Sequence, residues 1–249
     1  METNTIISAI LQTLNDASIK GVYIGLHWTG VVVELDGKMQ CGLAATLKAT
    51  HKHDGESDIP EAGHLTELSA LEVAHWVHSA HPTQVSLGMA AINALLPKNI
   101  NASIECNAAE IILQKGQGKQ VCLVGHFSFA NKIKDKIEKL SILELDPQYG
   151  DIPASQAPHI IPNADIVAIT GMTFINHTLE ELLSYCSAAA YVMILGPSTP
   201  FTPLLFNYGI DLISGALITN VDAAVQTLMQ GANFHQVRKA GAQLVTMMK

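Results

Sequence analysis

The stretch ADIVAITGMTFINHTLEELL, residues 164–183, decides how the rest of the chain is read. Asp165–Thr170 is a short apolar run of strand length, Gly171-Met172-Thr173 is turn chemistry, and a helical pattern opens at Thr178 and continues to Ala189. A buried strand, a polar turn and a helix in that order make one βα unit. The same rhythm recurs on both sides. Further strands are expected at Gln120–Val124, Ile142–Leu145, Tyr191–Leu195 and Leu212–Thr219. Helices are expected at Ala108–Lys115 (capped by Asn107), Phe129–Leu140, Pro203–Tyr208 and Ala223–Met229, with a last one from Phe234. Repeated βα units with apolar strands predict a Rossmann-like, doubly wound parallel sheet over residues 101–249.

The first hundred residues have a different rhythm. Ile6, Ile7, Ile10, Leu11 and Leu14 lie at helical spacing. Three β-type runs follow, Gly21–Leu26, Thr29–Leu35 and Met39–Leu47, with Asp36-Gly37 as a hairpin turn between the last two. Beyond the polar loop HKHDGESDIPEAG come helical patterns at Leu65–His78 and Val85–Leu96. Strands followed by helices predict a small α+β domain over residues 1–100, closed by Pro97-Lys98-Asn99 and giving way to the second domain between residues 97 and 107.

Charged residues make up 14% of the chain, against about 25% in a typical globular domain. So few charges imply either a sheet covered on both faces or apolar surface covered by a subunit partner, and a homo-oligomer is expected. The net charge of −8 argues against nucleic acid or an anionic membrane as partner. The one basic run, Lys132, Lys134, Lys136 and Lys139, is broken by Asp135 and Glu138 and reads as a solvated face. Four cysteines without a CxxC pair fit reduced thiols, and the N-terminus lacks the basic region of a signal peptide. A soluble, cytoplasmic protein is expected.

In a doubly wound sheet, ligands bind beyond the carboxyl ends of the strands, near the point where strand order reverses. Those ends carry Gly125, His126, Phe127 and Ser128, then Glu144, then Gly171 and Thr173 with Asn176 beyond, then Gly196, Ser198 and Thr199. Glu144 stands nineteen residues after Gly125, close to where an acidic residue of dinucleotide-binding folds meets a ribose hydroxyl. The first loop, GHFSFA, is not GxGxxG, so NAD or S-adenosylmethionine bound in the familiar way is not expected. GQGK at 116–119 precedes its strand and is a helix stop, not a phosphate loop. In the elbow GPSTPFTP, Thr199-Pro200 and Thr202-Pro203 each have the form of an N-cap followed by proline. They either aim amides near Ser198 and Thr199 at an anionic or carbonyl oxygen, or simply end a strand. His126 is the candidate acid or base, its alternative being a structural hydrogen bond, and His27 or Thr29 from the first domain are candidates to close the site.

Six of the eleven histidines fall within residues 51–81. Glu72, His75 and His78 could share a helix face as some metal ligands do, but His75 also sits between Leu68 and Leu71 as a hydrogen-bonded core or interface histidine would. No HExxH or Cys–His set is present, so no metal ligand set and no cofactor is named, and no structural zinc site is expected in this stretch.

The blocks GLHWTGVVV (25–33), SLGMAAINAL (86–95), VGHF (124–127), residues 164–183 and GPSTPFTPLLFNYGIDLISG (196–215) resemble, in the same order, the heavy-metal-chelation family, in which an enolase-N-terminal-like domain precedes a Rossmann-like domain. The resemblance implies a site in the cleft between the two domains. It also implies a small-molecule ligand, a pterin-, flavin- or siderophore-like metal chelator, made or handled there. An enzyme of condensation or hydrolysis is the leading expectation; a non-catalytic metal- or metallophore-binding protein is the alternative.

Overall fold

The computed structural model describes residues 5–47, 58–98 and 108–249. The first part runs α1 (Thr5–Leu11), β1 (Ser18–Ile24), β2 (Trp28–Leu35), β3 (Lys38–Ala45), α2 (Ala70–His75) and α3 (Pro82–Leu95). The three strands form an antiparallel sheet in the order β1-β2-β3. Asp36 and Gly37 both take positive φ, 53° and 71°, as the two-residue hairpin turn requires. Val31, Val33 and Ala44 face the helices, whereas Val32, Cys41 and Leu43 point to the other side, following the two-residue period of a strand.

The second part begins with α4 (Ala108–Lys115), β4 (Gln120–Val124), α5 (Ala130–Ile133), β5 (Lys139–Glu144), β6 (Ile152–Pro153) and α6 (Ala157–Ile160). It continues through β7 (Ile166–Thr170), α7 (Leu179–Ser184), β8 (Tyr191–Leu195), β9 (Leu212–Ile218), α8 (Val221–Met229), α9 (Phe234–Gly241) and β10 (Ala242–Met248). Its seven strands lie in the order β10-β9-β8-β7-β4-β5-β6, all parallel except β10. Strand order reverses between β4 and β7. Both faces of the sheet are covered: Cys122, Val124, Val167, Ile169 and Ile194 pack on one side, Leu123, Ala168, Met193 and Leu195 on the other. That double burial accounts for the unbroken apolar strands and part of the low charge. Among the described residues no helix is long and apolar enough to cross a membrane.

Several elements differ from the sequence expectation. The helix expected over Phe129–Leu140 is only α5 and a 3-10 turn at Lys134–Lys136, because β5 already begins at Lys139 to pair with Gln120. The lysines of this run are exposed, as expected. The helix expected from Leu65 starts at Ala70, where Ser69 and Glu72 form a reciprocal capping box. No helix starts at Thr199-Pro200. Thr202 is the cap instead, its side chain accepting from the Leu204 N–H at the head of a 3-10 helix, Pro203–Tyr208. The final helix stops at Gly241, and β10 runs back antiparallel along β9, pairing Ala242 with Ile218 through Met248 with Leu212.

The two sheets do not pair with one another among the described residues, yet the parts are joined closely. Ser198 Oγ accepts the Ala45 N–H at 3.0 Å, and Asn93 Nδ2 donates to Leu43 O at 2.8 Å and Ser198 O at 3.2 Å. The Glu180 carboxylate accepts from Ile6 N–H at 2.7 Å at the head of α1. Val32, Cys41 and Leu43 share a cluster with Ile218, Ala224, Leu228 and Val237.

Candidate functional site

Strand β4 ends at Gly125, whose φ of +104° suits glycine and whose N–H reaches Leu143 O on β5 at 2.9 Å. A side chain there would press on Thr170 at the end of β7. The tight exit turns the next residue, His126, over the reversal point. The His126 N–H donates to Glu144 Oε1 at 2.6 Å, while Glu144 Oε2 accepts the Leu145 N–H at 3.1 Å. Glu144 therefore clamps two strand exits, and each of its oxygens keeps a lone pair for a ligand.

Beside this clamp opens a cavity of about 530 Å³ at the carboxyl ends of β4, β5 and β7, between α6 and α7. The His126 ring stands at its mouth, Nδ1 at 3.4 Å from Asp151 Oδ2. The Asp151 side chain is 3% exposed and also accepts the Gln148 N–H, so the carboxylate is the buried, anchored member of the pair and the imidazole the exposed one. On the far wall Tyr185 donates to Glu181 Oε1 at 2.7 Å, and that bond to the carboxylate holds the phenol above its usual range. Thr173 spends its hydroxyl proton on Thr170 O. Asn176 Oδ1 accepts from Thr178, which leaves the amide NH₂ available to a ligand. Among the described residues Glu144 and Glu181 line the cavity and neither Lys nor Arg does, so its field favours a cation or a donor-rich ligand.

Of the residues expected at the site, Gly125, His126, Glu144, Thr173 and Asn176 line this cavity. Phe127 and Gly196 line a second cavity on the opposite face of the sheet. Gly171 is buried against Thr199. Ser198 and Thr199 are each 2% exposed, with Ser198 bonded to the first part of the chain, so neither reaches either cavity. Thr29 is buried with its hydroxyl on Thr46, and His27 is exposed in the β1–β2 loop; they too lie away from both. Among the described residues the first cavity is lined by residues 124–185 alone and by none of the first part, in contrast to the expected interdomain position.

Sequence reasoning missed Asp151, Glu181 and Tyr185. Asp151 follows the Gly150 turn, and only the turn signal after β5 marked that place. Glu181 and Tyr185 are neighbours at i and i+4 on and just beyond α7, a spacing that also fits an ordinary surface pair.

Of the histidine-rich stretch, His51 and His53 lie outside the described residues. Glu72 is committed to its capping box through Ser69 N–H, and His75 is exposed, not a core residue. Burial, and then the neighbouring His75, lower the pKa of His78; burial, and then His78, lower that of His177, which sits at φ +59°. Among the described residues no group of three His, Cys, Asp or Glu is gathered to hold a metal ion.

Two family profiles, both described as "putative heavy-metal chelation", match the chain, DUF4213 over residues 7–96 and DUF364 over residues 107–247. An uncharacterized protein of Methanocaldococcus jannaschii is 29% identical over 210 residues, covering 80% of this chain and 78% of its own. A DUF364-family protein of unknown function from Desulfitobacterium hafniense superposes with a TM-score of 0.83 at 25% identity, covering 98% of each chain. Another from Pyrococcus horikoshii gives a TM-score of 0.83 at 20% identity, covering 99% of each chain.

Proposed function

The chain belongs to the DUF364 heavy-metal-chelation family, and from that premise we propose that the 530 Å³ cavity takes a metal-chelating small molecule of pterin, flavin or siderophore type. The observation that carries this reading is the placing of two carboxylates, Glu144 and Glu181, and the His126–Asp151 pair around one cavity at the reversal of strand order. A chelator that carries a metal cation, or that bears amino and ring N–H donors, meets acceptors on both walls. Tyr185 and the Asn176 amide add orienting contacts.

His126 is then the proton-transfer group. With Nδ1 turned to Asp151, its Nε2 faces a bound molecule, takes a proton from an attacking water or amine, and returns it to the leaving group. The Asp151 carboxylate stabilises the imidazolium between those events. This fits a condensation or hydrolysis. The carboxylate pair also favours a second reading, a binding protein that holds the metal-loaded chelator unchanged.

Native mass spectrometry with metal analysis of gently purified protein tests both. A small-molecule adduct is expected in the wild type, weakened in Glu144→Gln and Glu181→Gln. Under the enzymatic reading, His126→Ala retains the adduct unconverted where the wild type alters it. An adduct indifferent to both carboxylates would remove the proposal.

A further inference from the structure

The chain contains a single arginine, Arg238, against thirteen lysines. It lines the second cavity, about 860 Å³, on the other face of the sheet. This cavity opens beyond the ends of β4 and β8, against β9 and the start of β10. Lys132 of α5 and His235, three residues before Arg238 on α9, line it as well. Arg238 and Lys132 make no ion pair among the described residues. Three of the six phenylalanines wall the same space: Phe127 and Phe129, stacked at 5.1 Å between centroids with planes 17° apart, and Phe234. Among the described residues one carboxylate, Glu110, also lines it. Two fixed cations and one acid, among the described residues, line this cavity in a protein whose net charge is −8.

We propose that this second cavity is a binding site for a small aromatic oxyanion, a carboxylate or a phosphate, held by Arg238. Guanidinium presents a rigid fork that meets two oxygens of a planar carboxylate or a phosphate, which an ammonium cannot do. A chain that uses lysine everywhere else places its one fork where, among the described residues, no carboxylate is paired with it. Lys132 supplies a second charge, and His235 a further ring nitrogen. The stacked Phe127 and Phe129 present an apolar wall to the body of the ligand. The site is distinct from the first cavity, which is lined by acids, and the β4 loop separates the two: Gly125 and His126 face one, Phe127 and Phe129 the other. The inference does not rest on the function proposed for the first cavity.

Calorimetric titration of the full chain with phenyl phosphate, benzoate and inorganic phosphate tests it, with melting temperature as the parallel readout. Saturable binding of phenyl phosphate or benzoate is expected, and which of the two binds tighter identifies the oxyanion. Inorganic phosphate, lacking the ring, should bind at least tenfold more weakly than phenyl phosphate. Arg238→Lys should weaken binding at least tenfold and Lys132→Met by a smaller factor. His126→Ala should leave it unchanged. Arg238 is exposed and unpaired among the described residues, so its variants should fold, which their unliganded melting curves verify. Absence of saturable binding by all three probes, or binding equal in wild type and Arg238→Lys, overturns the proposal.

Discussion

Replacing Ser198 by alanine should loosen the join between the two parts of the chain without touching ligand binding. Ser198 Oγ is the acceptor for the Ala45 N–H at 3.0 Å, and both residues are buried, at 2% and 9% exposure. Alanine keeps the Ser198 backbone carbonyl, so the bond from Asn93 Nδ2 survives and only the Ala45 amide is orphaned. A buried amide left without an acceptor costs roughly 1–3 kcal/mol. At this chain length each kcal/mol moves the melting temperature by about 2–4 °C, so a loss of several degrees is expected. Circular dichroism melts and urea titrations of the wild type and Ser198→Ala give both numbers. Because Ser198 lines neither cavity, the affinity for any co-purifying molecule should stay at its wild-type value. An unchanged melting temperature, or lost ligand with stability intact, would refute this account and return the elbow to a ligand-binding role.

Burial, then repulsion from His75 on His78 and from His78 on His177, lowers the pKa of both, so the unfolded chain takes up protons first as pH falls through about 6.5, and their contribution to stability is lost on the acid side. His78→Gln with His177→Asn, asparagine tolerating the left-handed backbone at 177, should flatten the acid limb of a stability–pH profile; an unaltered limb contradicts this. Burial pushes the Cys41 and Cys122 thiols up to about 12 and Cys186 to about 11. In a Cys106→Ser background, thiol labelling at pH 8 should be slow until the protein unfolds, and rapid stoichiometric labelling of the native state would be inconsistent with that burial. Exposed Leu26, Met39 and Met229, with the low charge content, are expected to support self-association; a lone 26.6 kDa species in sedimentation at micromolar concentration would speak against it.

The parallel sheet was legible because each strand is buried on both faces and therefore reads as an unbroken apolar run flanked by turn residues. β10 was not. Ala242–Met248 follows a helical pattern directly, and only the open edge of β9 makes it a strand. The short α5 was over-read because LysAspLysIle carries helical periodicity, while pairing with β4 drew Lys139 into a strand. Of the residues lining the first cavity, Gly125, His126 and Glu144 were marked in the sequence because strand ends are flagged locally by turn chemistry. Glu181 and Tyr185 come to the cavity, and Asp151 to His126 at its mouth, through tertiary folding, and only the turn at Gly150 marks any of them locally. Ser198 and Thr199 misled for a related reason: a polar elbow after a strand has the same sequence whether it faces a ligand or another part of the chain.

The cluster that joins Val32, Cys41 and Leu43 to Ile218, Ala224, Leu228 and Val237 bears on how such a chain can be divided. The three-stranded sheet has no polar face of its own on that side; its outer wall is made by residues nearly two hundred positions later. A gene fragment ending near residue 98 would expose that apolar face, and a fragment beginning near 108 would expose its counterpart. Expressed singly, each should aggregate or recruit chaperones; co-expressed, they should find each other and restore a soluble pair. The same interlock constrains heredity. Recombination that swaps one half for that of a distant relative must bring matching side chains at both ends of the gene, so the halves are expected to be inherited together.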